Sequence, residues 1–224
     1  MVHLAFDVGP AEIDELVIAG WTGRDIAALN HHIDELKAIG VPPPSSVPLY
    51  YRAAAQLLTQ ADTIDVLGED TSGEVEPVLV GTPERLWVTL GSDHTDRKAE
   101  TFSVAVGKQI CAKAVGRTAW RFEDVEPQWD RLILRSFVEQ GGPQGIGRTL
   151  YQEGTLAAIR PARDLIQGWQ GQKRLPAGVA MFMGTLPAIG GIRPSTRFAM
   201  ELEDPTTGRK LTHAYSVRTL PVVS

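Results

Sequence analysis

Thr71-Ser72-Gly73-Glu74-Val75-Glu76-Pro77-Val78-Leu79-Val80 leads through Gly81-Thr82-Pro83 into Leu86-Trp87-Val88-Thr89-Leu90-Gly91-Ser92-Asp93-His94-Thr95-Asp96-Arg97. β-Branched and aromatic residues fill both arms and Gly and Pro punctuate between them, so two strands joined by a turn are expected. Side chains at i and i+2 share one face of a strand, which sets Glu74 beside Glu76. Carboxylates that close repel, and each raises the other's pKa unless a cation lies between them. Asp93, at the end of the second arm, can bring a third oxygen. Three carboxylates on rigid strands suit a hard divalent cation, Mg2+ or Mn2+, with positions left for water and a substrate oxygen. On spacing alone, the commoner meaning of Glu-x-Glu is a surface strand with both side chains in water.

The surroundings are those of an ordinary globular chain. Its 224 residues are 43% hydrophobic and 22% charged, enough for one sizeable core and short for two, so residues 1–224 are expected to form a single domain. A formal net charge of -5 and a pI near 5.6 leave no basic footprint for nucleic acid or an anionic membrane. The one cysteine, Cys111, cannot build a disulfide framework and reads as a buried small hydrophobe in a reducing compartment. No signal-peptide pattern opens the chain and no apolar run approaches the roughly 20 residues of a membrane span, so the cytoplasm is the expected location.

Further from the central stretch, Ile26, Leu29, Ile33 and Leu36 recur at helical spacing and are stopped by Gly40 and Pro42-Pro43-Pro44. This predicts a helix over about 24–40. On it His32 and Glu35 are three apart and share a face. They are either an exposed polar pair or a base held by its orienting acid. Residues 98–110 are expected to start as a helical turn that ends near Gly107. Lys108, by itself, reads as a solvated charge. Strands are expected at 63–68, 131–138, 198–203 and 212–217, a strand running into a Gly-rich loop over 175–191, a flexible loop at 141–147, and an apolar helix at 156–166. Trp120 and Trp129 read as core anchors. Glu201 and Glu203 repeat the Glu-x-Glu spacing with no following Asp, and read as a solvated face.

Five of these features stand in one order: His32-x-x-Glu35, Glu74-Val75-Glu76, Asp93-His94-Thr95-Asp96-Arg97, Lys108 and Gly184-Thr185. In that order, from about residue 24 to the C-terminus, the chain resembles the fumarylacetoacetate hydrolase superfamily, and a bacterial branch of it. The resemblance implies an α+β, mostly β fold: a mixed β-sandwich roll of the C-terminal-domain type, with a short lid-like N-terminal helix, usually as a homodimer. It implies Glu74, Glu76 and Asp93 as ligands of Mg2+ or Mn2+, with His32 and Glu35 as the dyad that activates water. Lys108 would lie over the substrate, and Arg97 and Thr185 would orient the oxygens of a small 2-oxo acid. Glu100 stands where relatives carry a glutamine, which puts an acid at the substrate. Gln152 and Thr155 fit loosely a Gln-x-Gly-x-Thr-like segment. The implied reaction is hydrolysis of a C–C bond in a 2,4-dioxo, acylpyruvate-like acid through a stabilised enolate. The alternatives are a decarboxylase, isomerase or hydratase of a related 2-oxo dicarboxylic acid, and a homologue that binds a small acid without turning it over. Substrate choice is expected to lie in residues 141–149 and 186–195.

Overall fold

The computed structural model describes residues 1–38, 43–142, 145–171 and 173–223; at 32, 35, 36, 38, 140–142, 145 and 146 it describes the backbone alone. The chain begins with β1 (Val2–Phe6), β2 (Gly9–Ile13), β3 (Glu15–Gly20) and α1 (Ile26–Ala38). It continues through β4 (Leu49–Ala53), β5 (Leu58–Thr59), β6 (Thr63–Leu67), β7 (Thr71–Ser72), β8 (Val75–Gly81) and β9 (Leu86–Ser92). Next come β10 (Thr95–Asp96), α2 (Arg97–Phe102), α3 (Val104–Gln109), β11 (Lys113–Val115), β12 (Trp120–Arg121) and α4 (Phe122–Val125). The last elements are β13 (Ile133–Gly142), β14 (Gly145–Thr155), α5 (Ala162–Gly168), β15 (Val179–Phe182), β16 (Arg197–Asp204) and β17 (Arg209–Leu220).

Two mixed sheets dominate. The larger runs β4-β3-β15-β8-β9-β11-β5, with β12 also on β9; β15 is parallel to β3 and β11 to β5. The smaller runs β14-β13-β16-β17-β6, with β6 parallel to β17. The hairpin β1–β2 forms a third layer. Strand alternation explains why the larger sheet is apolar on both faces. Val17 and Ala19 of β3, Leu79 of β8, Val88 and Leu90 of β9 and Met181 of β15 join the core shared with the smaller sheet. Leu16, Ile18, Val78, Val80 and Phe182, one position out of step, pack with Leu4, Phe6, Ala11 and Ile13 of the hairpin. The fold is α+β and mostly β, as expected.

The central stretch forms the expected pair of strands, β8 antiparallel to β9, with Val75 opposite Ser92 and Gly81 opposite Leu86. Helix α1 starts where Asp25 Oδ1 accepts hydrogen bonds from the backbone N–H groups of Ala27 and Ala28, at 2.9 and 3.0 Å. Trp120 and Trp129 are buried, as core anchors should be.

Two expectations need correcting. Residues 141, 142 and 145–147 are strand and not loop: β13 runs on to Gly142 and β14 starts at Gly145, because each strand completes its partner's ladder out to Gly142 opposite Gly145, while residues 143 and 144 of the expected loop lie outside the described residues. The helix expected at 156–166 is broken. A single 3-10 turn, Leu156–Ala158, is separated from α5 by Arg160 and Pro161, since proline cannot donate the backbone bond that would continue a helix.

Candidate metal centre

The β8–β9 ladder extends one residue beyond the strands, where the Asp93 N–H donates to the Glu74 carbonyl at 3.0 Å. That bond brings the start of one arm against the end of the other. Glu74, Glu76 and Asp93 each offer a carboxylate oxygen, and these oxygens lie within 4.8 Å of one another. Glu76 and Asp93 are buried. Burial, and then the negative charges of Asp93 and Glu74, push the Glu76 carboxyl well above the usual range. Burial acts in the same direction on Glu74, but the charges and hydrogen bonds of Lys108 and Arg97 outweigh it and hold that carboxyl down at about 2.

Three cations surround the acids. Lys108, on the last turn of α3, donates to Glu74 Oε2 at 2.9 Å and to Asp93 Oδ2 at 2.5 Å. Lys113, fully buried on β11, places Nζ 2.7 Å from Asp93 Oδ1, an ion pair without hydrogen-bond alignment, and donates to the His94 carbonyl at 2.6 Å. Arg97 donates from Nε to Ser72 Oγ at 2.7 Å and from Nη1 to Glu100 Oε2 at 2.8 Å; its Nη2 lies 3.1 Å from Glu74 Oε1. Glu100 is thus tied to Arg97, one helical turn away.

The floor is held from further off. Gly184, just past β15, donates its N–H to Glu76 Oε2 at 2.7 Å. It does so at φ +99°, and a Cβ there would lie 1.8 Å from Thr22 Oγ1, so only glycine fits. The Thr185 hydroxyl donates to the Val75 carbonyl at 2.7 Å and accepts from Gln152 Nε2 at 2.8 Å. Gln152 Oε1 in turn accepts from the Val75 N–H and from the Ser136 hydroxyl, at 3.0 and 2.8 Å. Gln152 and Ser136 sit on the smaller sheet, so this chain of bonds ties that sheet to β8.

His94, between Asp93 and Thr95, is buried and is no metal ligand in this geometry. Its Nδ1 lies 2.8 Å from the Tyr215 hydroxyl and its Nε2 2.9 Å from Thr71 Oγ1. The Tyr215 hydroxyl also lies 2.8 Å from Ser92 Oγ, so both ring nitrogens of His94 are taken up by a chain of hydroxyls. Burial, then the charges of Lys113 and Arg97, push its pKa down to about 3, which keeps the ring neutral. Beside the acids stand Tyr51 and Trp21. The Trp21 Nε1–H donates to the Tyr51 hydroxyl at 3.0 Å, and Trp21 holds an unusual φ of 60°. Burial raises the Tyr51 phenol, and Lys108, Glu100 and Asp93 all act on it electrostatically.

The structure therefore gathers Glu74, Glu76, Asp93, Arg97, Glu100, Lys108 and Thr185 into one region. His32 and Glu35 lie on α1, but their side chains fall outside the described residues. Lys113 and the pair Trp21–Tyr51 were not foreseen. For Lys113 a signal existed: it is the one charged residue in the apolar run Cys111-Ala112-Lys113-Ala114-Val115. A charge inside such a run is buried and paired.

Comparison with known proteins bears on this geometry. The family model described as protein of unknown function (DUF2848) matches residues 19–215. No curated protein matches the chain. Among solved structures, one of Cg1458 aligns with a TM-score of 0.63 at 13% identity, covering 95% of this chain and 78% of that one. A structure of 2-keto-3-deoxy-D-arabinonate dehydratase complexed with magnesium and 2,5-dioxopentanoate aligns with a TM-score of 0.63 at 15% identity, covering 96% of this chain and 76% of that one. A hexagonal crystal form of 2-keto-3-deoxyarabinonate dehydratase aligns at 0.65 and 14% identity, covering 93% and 75%. At these identities the likeness is one of fold.

Proposed function

The chain belongs to the DUF2848 family, and from that premise we propose that it is a divalent-metal-dependent enzyme of the fumarylacetoacetate hydrolase superfamily, acting on a small 2-oxo acid. The observation that carries this reading is the Glu74–Glu76–Asp93 cluster. The residues fit the group. All three donors are hard carboxylate oxygens, as Mg2+ or Mn2+ prefers. Burial, and then the charges of Asp93 and Glu74, drive the Glu76 pKa upward, and a cation among the carboxylates would offset both. The fold shared with a dehydratase whose structure contains magnesium and a dioxo acid supports the same reading.

When bound, the ion would supply Lewis-acid stabilisation of negative charge developing on a 2-oxo oxygen. The chain's own residues do the rest. Gly184 and the Gln152–Thr185 pair hold the ligand strand in place. Arg97, fixed by Ser72, Glu74 and Glu100, keeps Glu74 ionised and oriented. Lys108 supplies a mobile positive charge at the substrate's oxygens. In the hydrolytic reaction, the superfamily resemblance assigns to His32, with Glu35 as its partner, the proton of the water that attacks the 4-oxo carbon of a 2,4-dioxo acid.

A second reaction, dehydration or another lyase step on a 2-oxo acid, is favoured by the name of the neighbouring dehydratase. It consumes no water and does not need the dyad in that role. His32→Ala separates the two: it keeps the metal in both cases and loses turnover only in the hydrolytic one. The superfamily resemblance also implies a homodimer, which sedimentation checks.

The test of the metal reading is thermal unfolding of wild type and Glu76→Ala with EDTA, Mg2+ or Mn2+, with and without oxalate, a mimic of pyruvate enolate. A ligand that binds only the native state raises the midpoint. The expected result is a metal-dependent oxalate shift in wild type that the variant lacks. No shift in either protein would remove the cation from the account.

A further inference from the structure

The Lys108 ammonium stands on the ground the proposed cation needs. It touches Glu74 Oε2 and Asp93 Oδ2, two of the three carboxylates, while Lys113 lies against the other oxygen of Asp93. Four carboxylates (Glu74, Glu76, Asp93, Glu100) face three cations (Arg97, Lys108, Lys113), a cluster already close to charge balance. An ammonium and a divalent ion sharing the same two carboxylates would lie within a few ångströms of each other and repel strongly in so buried a place.

The two lysines differ in their freedom to leave. Lys113 is fully buried in a strand and bonded to the His94 carbonyl as well as paired with Asp93. Lys108 lies in the last turn of a six-residue helix, near the exposed Val106 and Ile110, and its own side chain keeps a tenth of its surface in solvent. Its Nζ makes hydrogen bonds to Glu74 and Asp93, two of the three carboxylates the ion would take. Four rotatable bonds let it swing aside with little movement of the backbone.

We propose that Lys108 is a displaceable internal cation: its ammonium and a divalent ion exclude one another from Glu74 and Asp93, and loading the site turns the ammonium out toward the substrate. This rests on the metal reading above. It gives Lys108 two positions. One neutralises the acids before the ion arrives, and the other delivers a positive charge to the substrate only once the site is loaded.

The experiment is calorimetric titration of Mn2+ alone into wild type, Lys108→Gln and Glu76→Gln at one pH near 7.5. Lys108→Gln is expected to bind Mn2+ about tenfold more tightly or better, since a competing buried charge is gone. Glu76→Gln is expected to bind weakly. Binding in Lys108→Gln alone supports the proposal in its strongest form. Equal or weaker binding in Lys108→Gln, with wild type still binding, overturns it and leaves the metal site standing. No binding in any of the three overturns the metal reading and this inference together. Should Lys108→Gln fail to fold, limited acetylation of wild type read by mass spectrometry decides. Mn2+ is expected to raise labelling of Lys108 several-fold, by exposing its amine, and to leave Lys113 unlabelled. Unchanged labelling of Lys108 overturns the proposal.

Discussion

At the residue scale, Glu76 sets function against stability. It is buried among like charges, and among the described residues only the Gly184 N–H donates a hydrogen bond to it. Glu76→Gln keeps an acceptor for that bond and removes an ionised group from a site that disfavours it. In EDTA the variant is expected to melt a few degrees higher, on the order of 1–2 kcal/mol, while losing the metal-dependent shift. Scanning calorimetry with and without Mn2+ measures both; a lower midpoint in EDTA would mean that wild-type Glu76 is compensated after all. His213 yields a pH prediction away from the centre. Burial, and then the Arg117 charge, lower its pKa below 6.5, and its Nε2 has no hydrogen-bond partner among the described residues. The folded state thus prefers neutral His213, whereas the unfolded chain protonates near 6.5. Stability from this group is complete above that pH and is lost as the pH falls toward the lower folded pKa. His213→Phe should flatten the decline of the melting midpoint between about pH 6.5 and 5; an unchanged slope would show that His213 is not its source.

At the element scale, the site depends on where strands end. β15 stops at Phe182, and the chain then passes under Glu76 with Gly184 at φ +99°. Gly184→Ala would drive a Cβ into Thr22 and shift the N–H that holds Glu76. A destabilisation of about 2–4 kcal/mol and weaker Mn2+ binding are expected, read from denaturant melts and calorimetric titration. Gly147→Ala, in β14 with nothing within 4 Å of the added Cβ, is the control and should be neutral or slightly stabilising. The two corrections to the sequence reading belong to this scale. The glycines at 141–147 suggested a loop because their intrinsic preference is for turns, but partner-strand hydrogen bonds override propensity in a hairpin. The break at Pro161 was legible beforehand, since that proline lay inside the span read as helix.

At the scale of the whole molecule, three layers share two cores. The family match begins at residue 19, so β1 and β2 lie outside it. Even so, Leu4, Phe6, Ala11 and Ile13 cover the outer face of the sheet that carries Glu76, packed with Val78, Val80 and Phe182. Uncovering that face costs roughly 1.5–3 kcal/mol for each large side chain exposed. Deletion of residues 1–13 is therefore expected to lower the melting midpoint by more than about 10 °C and to induce binding of a hydrophobic dye. A truncated protein as stable as the full chain would mean that the hairpin is an ornament on the fold. Among the described residues no helix is long and apolar enough to cross a membrane.

The division between sequence and tertiary structure follows from distance along the chain. Residues 71–97 specified their own strand pair, and with it the meeting of Glu74, Glu76 and Asp93. Alternation with period two and one tight turn are local properties, and the whole arrangement closes within a single hairpin. Individual strands were legible for the same reason, while the mostly β roll they build was expected from the superfamily resemblance. What surrounds the three carboxylates was not. Lys113 arrives on a neighbouring strand, Gln152 comes from the opposite sheet, and the Gly184 N–H comes from 108 residues beyond Glu76. Whether Lys108 is a solvated charge or a buried counter-ion depends on where α3 docks, which no local pattern encodes. The energy of a charge is set by the groups within a few ångströms of it and by the exclusion of water, and both exist only once the sheets have packed.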